Sequence, residues 1–233
     1  TALPECLNPF SILYNVVDNI GSYKLVELTT YTVNSIFISA VSSSIIVILL
    51  LFILFVDNQY KSSQSKMLTI LTSLGYALPG AVLGLSLIIF SRILNNNIID
   101  ISLIGTFSLL IYALVIRFLV VGRSPLKSSI EKIPQSTFEK AQNLGLNNYA
   151  LLRKIYLPLN KLGIISAFML CFIDVMKELP ITLILMPFNF NTLSTKTYEL
   201  AVEEMVDLSS IFSLLIIGIC SLTLFVIKKY LSQ

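Results

Sequence analysis

The sequence predicts an all-α membrane protein, a polytopic bundle of about five transmembrane helices. Of its 233 residues, 55% are hydrophobic and only 12% are charged, and the mean hydropathy is +0.85. A soluble domain carries about 25% charged residues. Charge-free stretches long enough to cross a bilayer recur along the chain, since about 20 apolar helical residues span the hydrocarbon core. These observations exclude an ordinary soluble enzyme, a disordered chain and a basic nucleic-acid-binding protein.

Five apolar stretches define the predicted helices. Leu28–Val56 has 29 residues without a charge, Met67–Ser91 has 25 and Leu208–Ile227 has 20. A shorter stretch of 16 residues ends before Arg117 and reaches spanning length by continuing past it, so Arg117 is expected to snorkel to the headgroups. The run Leu162–Met186 is interrupted by three charges, but its flanks are strongly apolar. The helices are expected near residues 32–56, 68–90, 101–121, 161–186 and 208–228.

Lysine and arginine are divided unequally between the two sets of connecting segments. Residues 57–66, 122–161 and 228–233 hold eleven of them, whereas residues 1–30, 91–100 and 187–207 hold three. Cytoplasmic segments of membrane proteins carry the excess of basic residues. The first set is therefore predicted to be cytoplasmic, which places the N-terminus of the chain outside and the C-terminus inside.

The residue types present exclude several kinds of catalytic site. The chain contains no histidine, which excludes a Ser-His-Asp triad, a Cys-His dyad, an HExxH zinc site and ligation of haem by histidine. Cys6, Cys171 and Cys220 show no CxxC pairing, and no P-loop is present. We predict no catalytic residue, metal site or cofactor. The chain begins with Thr1 rather than Met, and we expect it to be a piece of a longer protein.

The longest polar segment, residues 122–160, is predicted to contain a short helix. Ser136 and Glu139 have the spacing of a capping box, in which the serine caps the helix and the glutamate reaches back to it. Gly145 can adopt the left-handed conformation that ends a helix. An apolar stripe at i, i+3 and i+6 is formed by Phe138, Ala141 and Leu144. The stripe has no core of its own, so it must pack on its own membrane bundle, on the lipid surface or on a partner protein.

A second short helix is predicted after Gly145. Asn147 or Asn148 can cap it, and it is expected to run to about Tyr156 before Pro158 stops it. Residues 134–158 are thus expected to form a helix, a glycine turn and another helix on the cytoplasmic side.

This segment resembles the EAA motif of ATP-binding-cassette importer permeases. The family pattern is EAA, three residues, Gly, nine residues, Ile, one residue and Leu-Pro, and this chain keeps every spacing with Lys140 in place of the second Ala. The resemblance implies a type I importer permease fold whose loop is a coupling helix that docks in a groove on the ATPase subunit. The resemblance implies docking by Glu139, Ala141 and Gly145 and support of the docked loop by Ile155, Leu157 and Pro158. With Ser136, Phe138 and Leu144 of the same loop, these are the predicted ATPase-coupling residues.

A second stretch, residues 177–198, resembles the ferric-iron branch of these permeases. In that branch a KELP-x-TL segment leads into a PF-x-F-x-TL stretch and a tyrosine, and this chain has those residues from Lys177 to Leu193 and at Tyr198. Thiamine, phosphonate or another small solute is the alternative cargo, because those branches are relatives. The ferric permease is often one chain with two such modules, and this chain would suit the C-terminal one.

The resemblance covers about residues 30–230 and carries further expectations. The predicted domains are an extracytoplasmic lead-in, residues 1–30, and a permease transmembrane domain, residues 31–230. The implied partners are a cassette ATPase dimer, a second permease module or copy, an extracytoplasmic solute-binding protein and membrane lipid, in a bacterial inner membrane. ATP hydrolysis is expected on the separate ATPase subunit, and no nucleic-acid partner or cofactor is expected.

Three charges interrupt the fourth predicted helix. Asp174, Lys177 and Glu178 lie at i, i+3 and i+4 and are expected to share one face. That face either lines the transport pathway or is a self-neutralising cluster that fixes helix packing. Pro180 is expected to kink the helix or end its regular part. Two carboxylates beside a lysine make a poor ferric site, so no metal is predicted there.

Two functions of other classes compete with the permease interpretation. A membrane-embedded enzyme would need a nucleophile with a base, or a metal cluster, at the bilayer edge. A secondary transporter would couple to an ion gradient through Asp174 and Glu178, but it leaves the loop motif unexplained.

Overall fold

The computed structural model describes residues 25–60, 75–97, 104–143 and 145–231. Helices form the regular structure in these ranges, and no strand occurs there, which agrees with the all-α prediction. The helices are α1 (Leu25–Tyr60), α2 (Gly80–Asn97), α3 (Phe107–Glu131), α4 (Gln135–Asn143), α5 (Asn148–Leu159), α6 (Lys161–Met176), α7 (Pro180–Leu185), α8 (Leu193–Val202) and α9 (Val206–Leu231). Residues 1–24 of the predicted lead-in, Cys6 among them, and Leu144 lie outside the described residues.

Among the described helices, three are long and apolar enough to cross a membrane. They contain the spans Val26–Gln59, Phe107–Glu131 and Val206–Lys229 and correspond to the first, third and fifth predicted helices. The consecutive helices α5 and α6 form a fourth span if the pair, bent by 73°, is counted as one. Helix α2 is apolar but shorter.

The second predicted helix is broken. Its expected start, residues 68–74, lies outside the described residues, and residues 75–77 are helical. Leu78 and Pro79 leave the helical conformation, and α2 begins at Gly80. Proline has no N–H and clashes with the preceding turn of a helix, which accounts for a break at this point.

The centre of the fold is the packing of α1, α3 and α6 against one another. Gly122 on α3 permits a close approach of all three helices: a Cβ atom there would lie 2.9 Å from both Cys171 Sγ and Leu50 Cδ1. The buried apolar side chains of this core come from all three helices and include Ile46, Leu50, Leu110, Leu114, Leu126, Ala167, Cys171 and Val175.

Helix α3 is longer than predicted. The sequence predicts a polar loop over residues 122–160, but α3 continues to Glu131. Its last turns remain amphipathic, because Leu126 and Ile130 are buried in the core while Lys127 and Glu131 face outward. Arg117 therefore lies near the middle of α3, and the prediction that it snorkels from a helix end is wrong.

The bundle has two distinct ends. At one end, Asn34 Nδ2 of α1 donates to Asn191 O at 3.0 Å, and the rings of Phe107 and Phe190 meet edge to face with centroids 4.8 Å apart. We call this the Phe190 end. At the other end, the ring of Phe55 in α1 packs edge to face on Tyr156 of α5 with centroids 5.2 Å apart. We call this the Tyr156 end.

Candidate functional site

The predicted helix, glycine turn and helix are present at the Tyr156 end. Helix α4 ends at Asn143, and Gly145 has φ = 81°. The N–H of Leu146 donates to Ala141 O at 3.2 Å, as in the glycine-ended Schellman motif. Asn147 then caps α5, accepting from Ala150 N at 2.8 Å. The left-handed glycine and the cap at Asn147 confirm these two local predictions.

The capping box predicted at Ser136 is wrong. The first turn of α4 closes on Pro134, whose carbonyl accepts from Thr137 N at 2.9 Å. Ser136 therefore lies inside the first turn, one residue after the helix begins at Gln135. Both Ser136 and Glu139 are exposed to solvent.

The apolar stripe of α4 is covered by its own chain. Phe138 and Ala141 are 5% and 4% exposed, and the Phe138 ring lies 6.1 Å from that of Tyr156, centroid to centroid. Burial, together with the charge of Asp57, raises the pKa of the Tyr156 phenol, which keeps the hydroxyl protonated. Leu144, the third predicted member of the stripe, lies outside the described residues. The sequence allows the stripe to pack on its own membrane bundle, on the lipid surface or on a partner protein. The structure shows Phe138 and Ala141 packed on the protein's own bundle.

The surface that remains exposed to solvent is the opposite, polar side of α4 and the start of α5. Its exposed residues are Gln135, Ser136, Glu139, Lys140, Asn143, Gly145, Asn147, Asn148 and Tyr149. Tyr149 is the large side chain of this group and is 68% exposed. We call these residues the loop face.

Pro158 does not end the second helix. Residues Leu152–Tyr156 widen into π-helical turns, in which the N–H of Leu157 bonds to Leu152 O. The helix then continues through Pro158 to Leu159, so the predicted stop is wrong. Proline fits here because a widened turn removes the bond that its missing N–H would break. Ile155 and Leu157 are half-buried on this helix, whereas Pro158 is exposed.

The break comes instead at Asn160, which the sequence analysis did not single out. Its side chain is fully buried; Nδ2 donates to Tyr156 O at 2.8 Å, and Oδ1 accepts from Ser129 Oγ of α3 at 3.1 Å. These two bonds hold the 73° bend between α5 and α6 against α3. The sequence signal that could have indicated it is an asparagine directly after Leu157-Pro158-Leu159, where an apolar stretch ends.

The second region of interest is the interruption of the fourth predicted helix. Helix α6 ends at Met176 rather than at residue 186, and Pro180 begins the separate short helix α7. The prediction that Pro180 marks the end of the regular helix is therefore confirmed. We call residues 177–179 the α6–α7 break.

The three charges of this region do not share one face, contrary to the prediction. Lys177 Nζ and Asp174 Oδ1 are 2.7 Å apart, and the Lys177 side chain is 60% exposed. Glu178 lies beyond the end of α6 and is turned toward α3, where its Oε2 is 3.5 Å from Arg117 Nε. Its side chain is 8% exposed and that of Arg117 is 18% exposed. The helical spacing fails because the helix stops before the third charge.

Arg117 joins this break to the one in front of α2. Its Nη1 donates to Leu78 O at 2.9 Å, so the guanidinium contacts the carbonyl left free at Leu78-Pro79 as well as Glu178. Gly80 allows the approach, because a Cβ atom there would lie 2.8 Å from Glu178 Oε1 and 3.1 Å from Arg117 Nη1. Sequence reasoning placed Arg117 at a lipid headgroup and missed this role.

Hydroxyl groups hold the main chain of the α6–α7 break. The carbonyl of Glu178 accepts from Ser194 Oγ at 3.0 Å and from Thr182 Oγ1 at 3.2 Å. Ser35 Oγ of α1 accepts from Leu193 N at 2.7 Å, which ties the start of α8 to α1. Among the described residues, no group of three or more Asp, Glu, Cys or His side chains is arranged to hold a metal ion.

Comparison with known proteins gives three findings. Residues 50–233 match the family described as binding-protein-dependent transport system inner membrane component. The chain is 28% identical over 197 residues to the Fe(3+)-transport system permease protein FbpB 2 of Haemophilus influenzae. That alignment covers 84% of this chain but 38% of the relative, so the chain spans well under half of the relative's length.

The third finding concerns the fold. The chain is similar to a chain of the MetNI methionine ABC transporter, solved in inward facing conformations, with a TM-score of 0.65 and 16% identity. The match covers 89% of this chain and 97% of that one. It confirms the predicted type I importer permease fold.

Proposed function

From the premise that this chain belongs to the family of binding-protein-dependent transport system inner membrane components, we propose that it carries ferric iron across a bacterial inner membrane. The family consists of transport subunits, which makes the chain a membrane permease of an ATP-binding-cassette importer rather than an enzyme. Ferric iron as cargo rests on one observation, the 28% identity to an Fe(3+)-transport permease over 84% of this chain. Because the chain spans 38% of that relative, the activity of a whole importer is part of the proposal.

The proposed partners follow from this role. A cassette ATPase dimer would supply the energy, an extracytoplasmic binding protein would deliver the cargo, and a second permease module or copy would complete the pathway. The exposed apolar side chains of the spanning helices, such as Phe52 at 66% and Phe225 at 67%, suit contact with lipid or with that second module.

The proposed ATPase contact is the loop face. Its polar side chains and Tyr149 are exposed, while Phe138 and Ala141 on the other side of α4 are buried. The roles proposed for the loop residues therefore divide into two groups. Ser136, Glu139 and Gly145 would touch the ATPase, whereas Phe138, Ala141, Ile155, Leu157 and Pro158 would support that surface.

The proposed orientation places the Tyr156 end in the cytoplasm. Seven of the eleven lysine and arginine residues of the predicted cytoplasmic segments belong to residues 122–161, the segment that contains α4, α5 and Tyr156. The acidic residues Glu203 and Glu204 belong instead to the connection between α8 and α9. The proposed pathway runs along the α6–α7 break, with Lys177 and Glu178 inside it and Asp174 and Pro180 beside it. Arg117 connects Glu178 to the helix break at Leu78-Pro79. Broken helices beside a substrate path are common in transporters.

The cargo is tested with the full protein reconstituted in vesicles with its ATPase and binding protein. We expect ATP-dependent uptake of radioactive Fe³⁺ that thiamine and phosphonate do not compete for. Uptake of one of those solutes instead of Fe³⁺ would assign a different branch of the family. Uptake that persists without the ATPase would favour the gradient-driven transporter.

The loop face is tested with a matched pair of glycines. Gly145 has φ = 81° and Gly105 has φ = 74°, and a side chain built on either meets no atom within 4 Å. Gly145→Trp and Gly105→Trp therefore introduce the same left-handed strain, about 1–2 kcal/mol, at opposite ends of the bundle. We expect only Gly145→Trp to abolish co-purification with the ATPase. Equal co-purification of the two variants would refute the docking role.

Orientation is tested by thiol labelling at two exposed aromatic positions. Tyr149 is 68% exposed at the Tyr156 end, and Phe188 is 94% exposed in the connection that leads to Phe190. We expect a membrane-impermeant thiol reagent to label Phe188→Cys from outside intact cells and Tyr149→Cys only after permeabilisation. The reverse pattern would invert the proposed topology.

A further inference from the structure

The two helix breaks meet at a single guanidinium. Arg117 contacts the free carbonyl of Leu78 on one side and the carboxylate of Glu178 on the other, at 2.9 Å and 3.5 Å. No role is assigned to this arginine by the family match or by the loop motif. It lies on α3, which belongs to the central packing of the bundle, whereas both of its contacts belong to interrupted helices.

The ion pair is a loose one. Charge-assisted N–H···O bonds are about 2.7–2.9 Å long, whereas Arg117 Nε is 3.5 Å from Glu178 Oε2 and, although buried, makes no hydrogen bond. The neighbouring pair of Lys177 and Asp174 is close, at 2.7 Å. Separating Arg117 from Glu178 therefore breaks a weaker contact than separating Lys177 from Asp174 would.

Holding α2 to α7 does not require charges. At Gly84, one turn beyond Gly80, the two helices already touch through apolar atoms, and a Cβ atom there would lie 3.3 Å from Ile184 Cγ2. A buried ion pair is weak evidence for stability, because desolvation of both charges offsets their attraction. The pair therefore calls for a role other than packing.

We infer that Arg117 and Glu178 form a gate between the two helix breaks, and that cationic cargo opens it by replacing Arg117 as the partner of Glu178. The inference rests on the proposed import of a cation. In the closed gate Arg117 neutralises Glu178 and occupies the carbonyl of Leu78. When cargo arrives, these two oxygen atoms accept its positive charge, and the guanidinium withdraws toward the rings of Tyr76 and Phe118, which lie 6.0 Å and 5.8 Å from its Cζ.

The gate also accounts for the exposed apolar side chains beside the break in front of α2. Near the break, Tyr76 and Leu78 are 52% and 48% exposed, and Leu183 on α7 is 38% exposed. Cargo that passes along this side would meet the ion pair directly, because the Arg117 side chain remains 18% exposed there.

The test variant removes both charges and keeps the shapes: Arg117→Gln with Glu178→Gln. A single Arg117→Gln variant would leave the buried Glu178 carboxylate without a counter-charge, with only the bond from Ile181 N to its Oε1 at 3.3 Å, and is set aside for that reason. The matched control is Lys127→Gln with Glu131→Gln, an exposed pair on the same helix α3 with 48% and 65% side-chain exposure. A third variant, Arg117→Lys, keeps the charge.

The first measurement is Fe³⁺ uptake by the reconstituted complex. We expect at least a tenfold loss in the double-glutamine variant, with co-purification of the ATPase and the thermal unfolding midpoint unchanged. The control should transport normally, and Arg117→Lys should recover most of the uptake. Wild-type uptake by the double-glutamine variant would overturn the gate, and a parallel loss of assembly would make the pair structural.

The second measurement does not depend on the cargo. Leu78→Cys is labelled with a thiol reagent in the complex with and without ATP, and labelling of the parent chain is subtracted. We expect labelling to differ severalfold between the two states with the native pair, and to be equal in the double-glutamine background. Equal labelling in both states with the native pair overturns the gate. Absence of Fe³⁺ uptake by the wild-type complex, with state-dependent labelling retained, would instead refute the proposed cargo.

Discussion

Two ion pairs flank the end of α6, and they differ in burial, geometry and connection. Lys177 and Asp174 are neighbours in sequence, 2.7 Å apart, with the lysine 60% exposed. Arg117 and Glu178 come from distant parts of the chain, 3.5 Å apart, with both side chains mostly buried. The exposed pair links one turn to itself, whereas the buried pair links two broken helices through a third. Proximity in sequence is thus no guide to which charged side chains this fold buries.

The largest expected effect comes from removing one partner of the buried pair. Arg117→Met leaves the Glu178 carboxylate in an apolar setting without a counter-charge, which costs about 3–5 kcal/mol. Lys177→Met, at the exposed pair, should cost less than about 1 kcal/mol. Thermal unfolding of the purified chains in detergent measures the difference. Equal midpoints for the two variants would show that the burial of the pair is not retained in solution.

The next largest expected difference between the two ion pairs is in their effect on transport. Glu178→Gln is expected to reduce uptake at least tenfold while ATPase binding persists, since it removes the charge at the meeting point of the two breaks. Asp174→Asn, which disrupts the exposed pair, should reduce uptake only about two- to threefold. Uptake by the reconstituted complex is the measurement, and co-purification of the ATPase is the control. Normal uptake by both variants would make the two pairs structural.

The close approach at Gly80 provides a smaller, steric test. A methyl group there would lie 2.8 Å from Glu178 Oε1, so Gly80→Ala should lower the free energy of unfolding by about 1–3 kcal/mol. Gly218 in α9 has no atom within 4 Å of its added Cβ, and Gly218→Ala should raise the free energy of unfolding by up to about 1 kcal/mol. Denaturation of both variants, side by side, decides whether Gly80 lies as close to Glu178 and Arg117 as described.

The local features of the fold were predictable where local chemistry determines them. Gly145 ends α4, Asn147 caps α5 and Pro180 ends the regular helix, because left-handed glycine, side-chain capping and the missing N–H of proline act within a few residues. The long apolar stretches likewise identified α1, α3 and α9 as spanning helices.

The remaining features depend on contacts between distant segments. The polar end of α3 looked like a loop because its lysines and serines are hydrophilic, yet Leu126 and Ile130 pack it on the core. Arg117 contacts Glu178 only once α2, α3 and α7 are packed together, and no local sequence pattern predicts that contact. The packing of Tyr156 on Phe138 in α4 likewise depends on tertiary contacts. The sequence shows that the apolar side chains of α4 must be covered, but it does not show by which part of the protein or by which partner.

The corner at Asn160 determines how force applied to the loop face would travel. A straight connection would pass a push along the axis of α6, but a bend of 73° delivers it almost at right angles to that axis. Since Asn160 is also bonded to Ser129, the same displacement is shared with α3. We therefore expect a small displacement of the loop face to tilt α3 and α6, the two helices that carry Arg117 and Asp174.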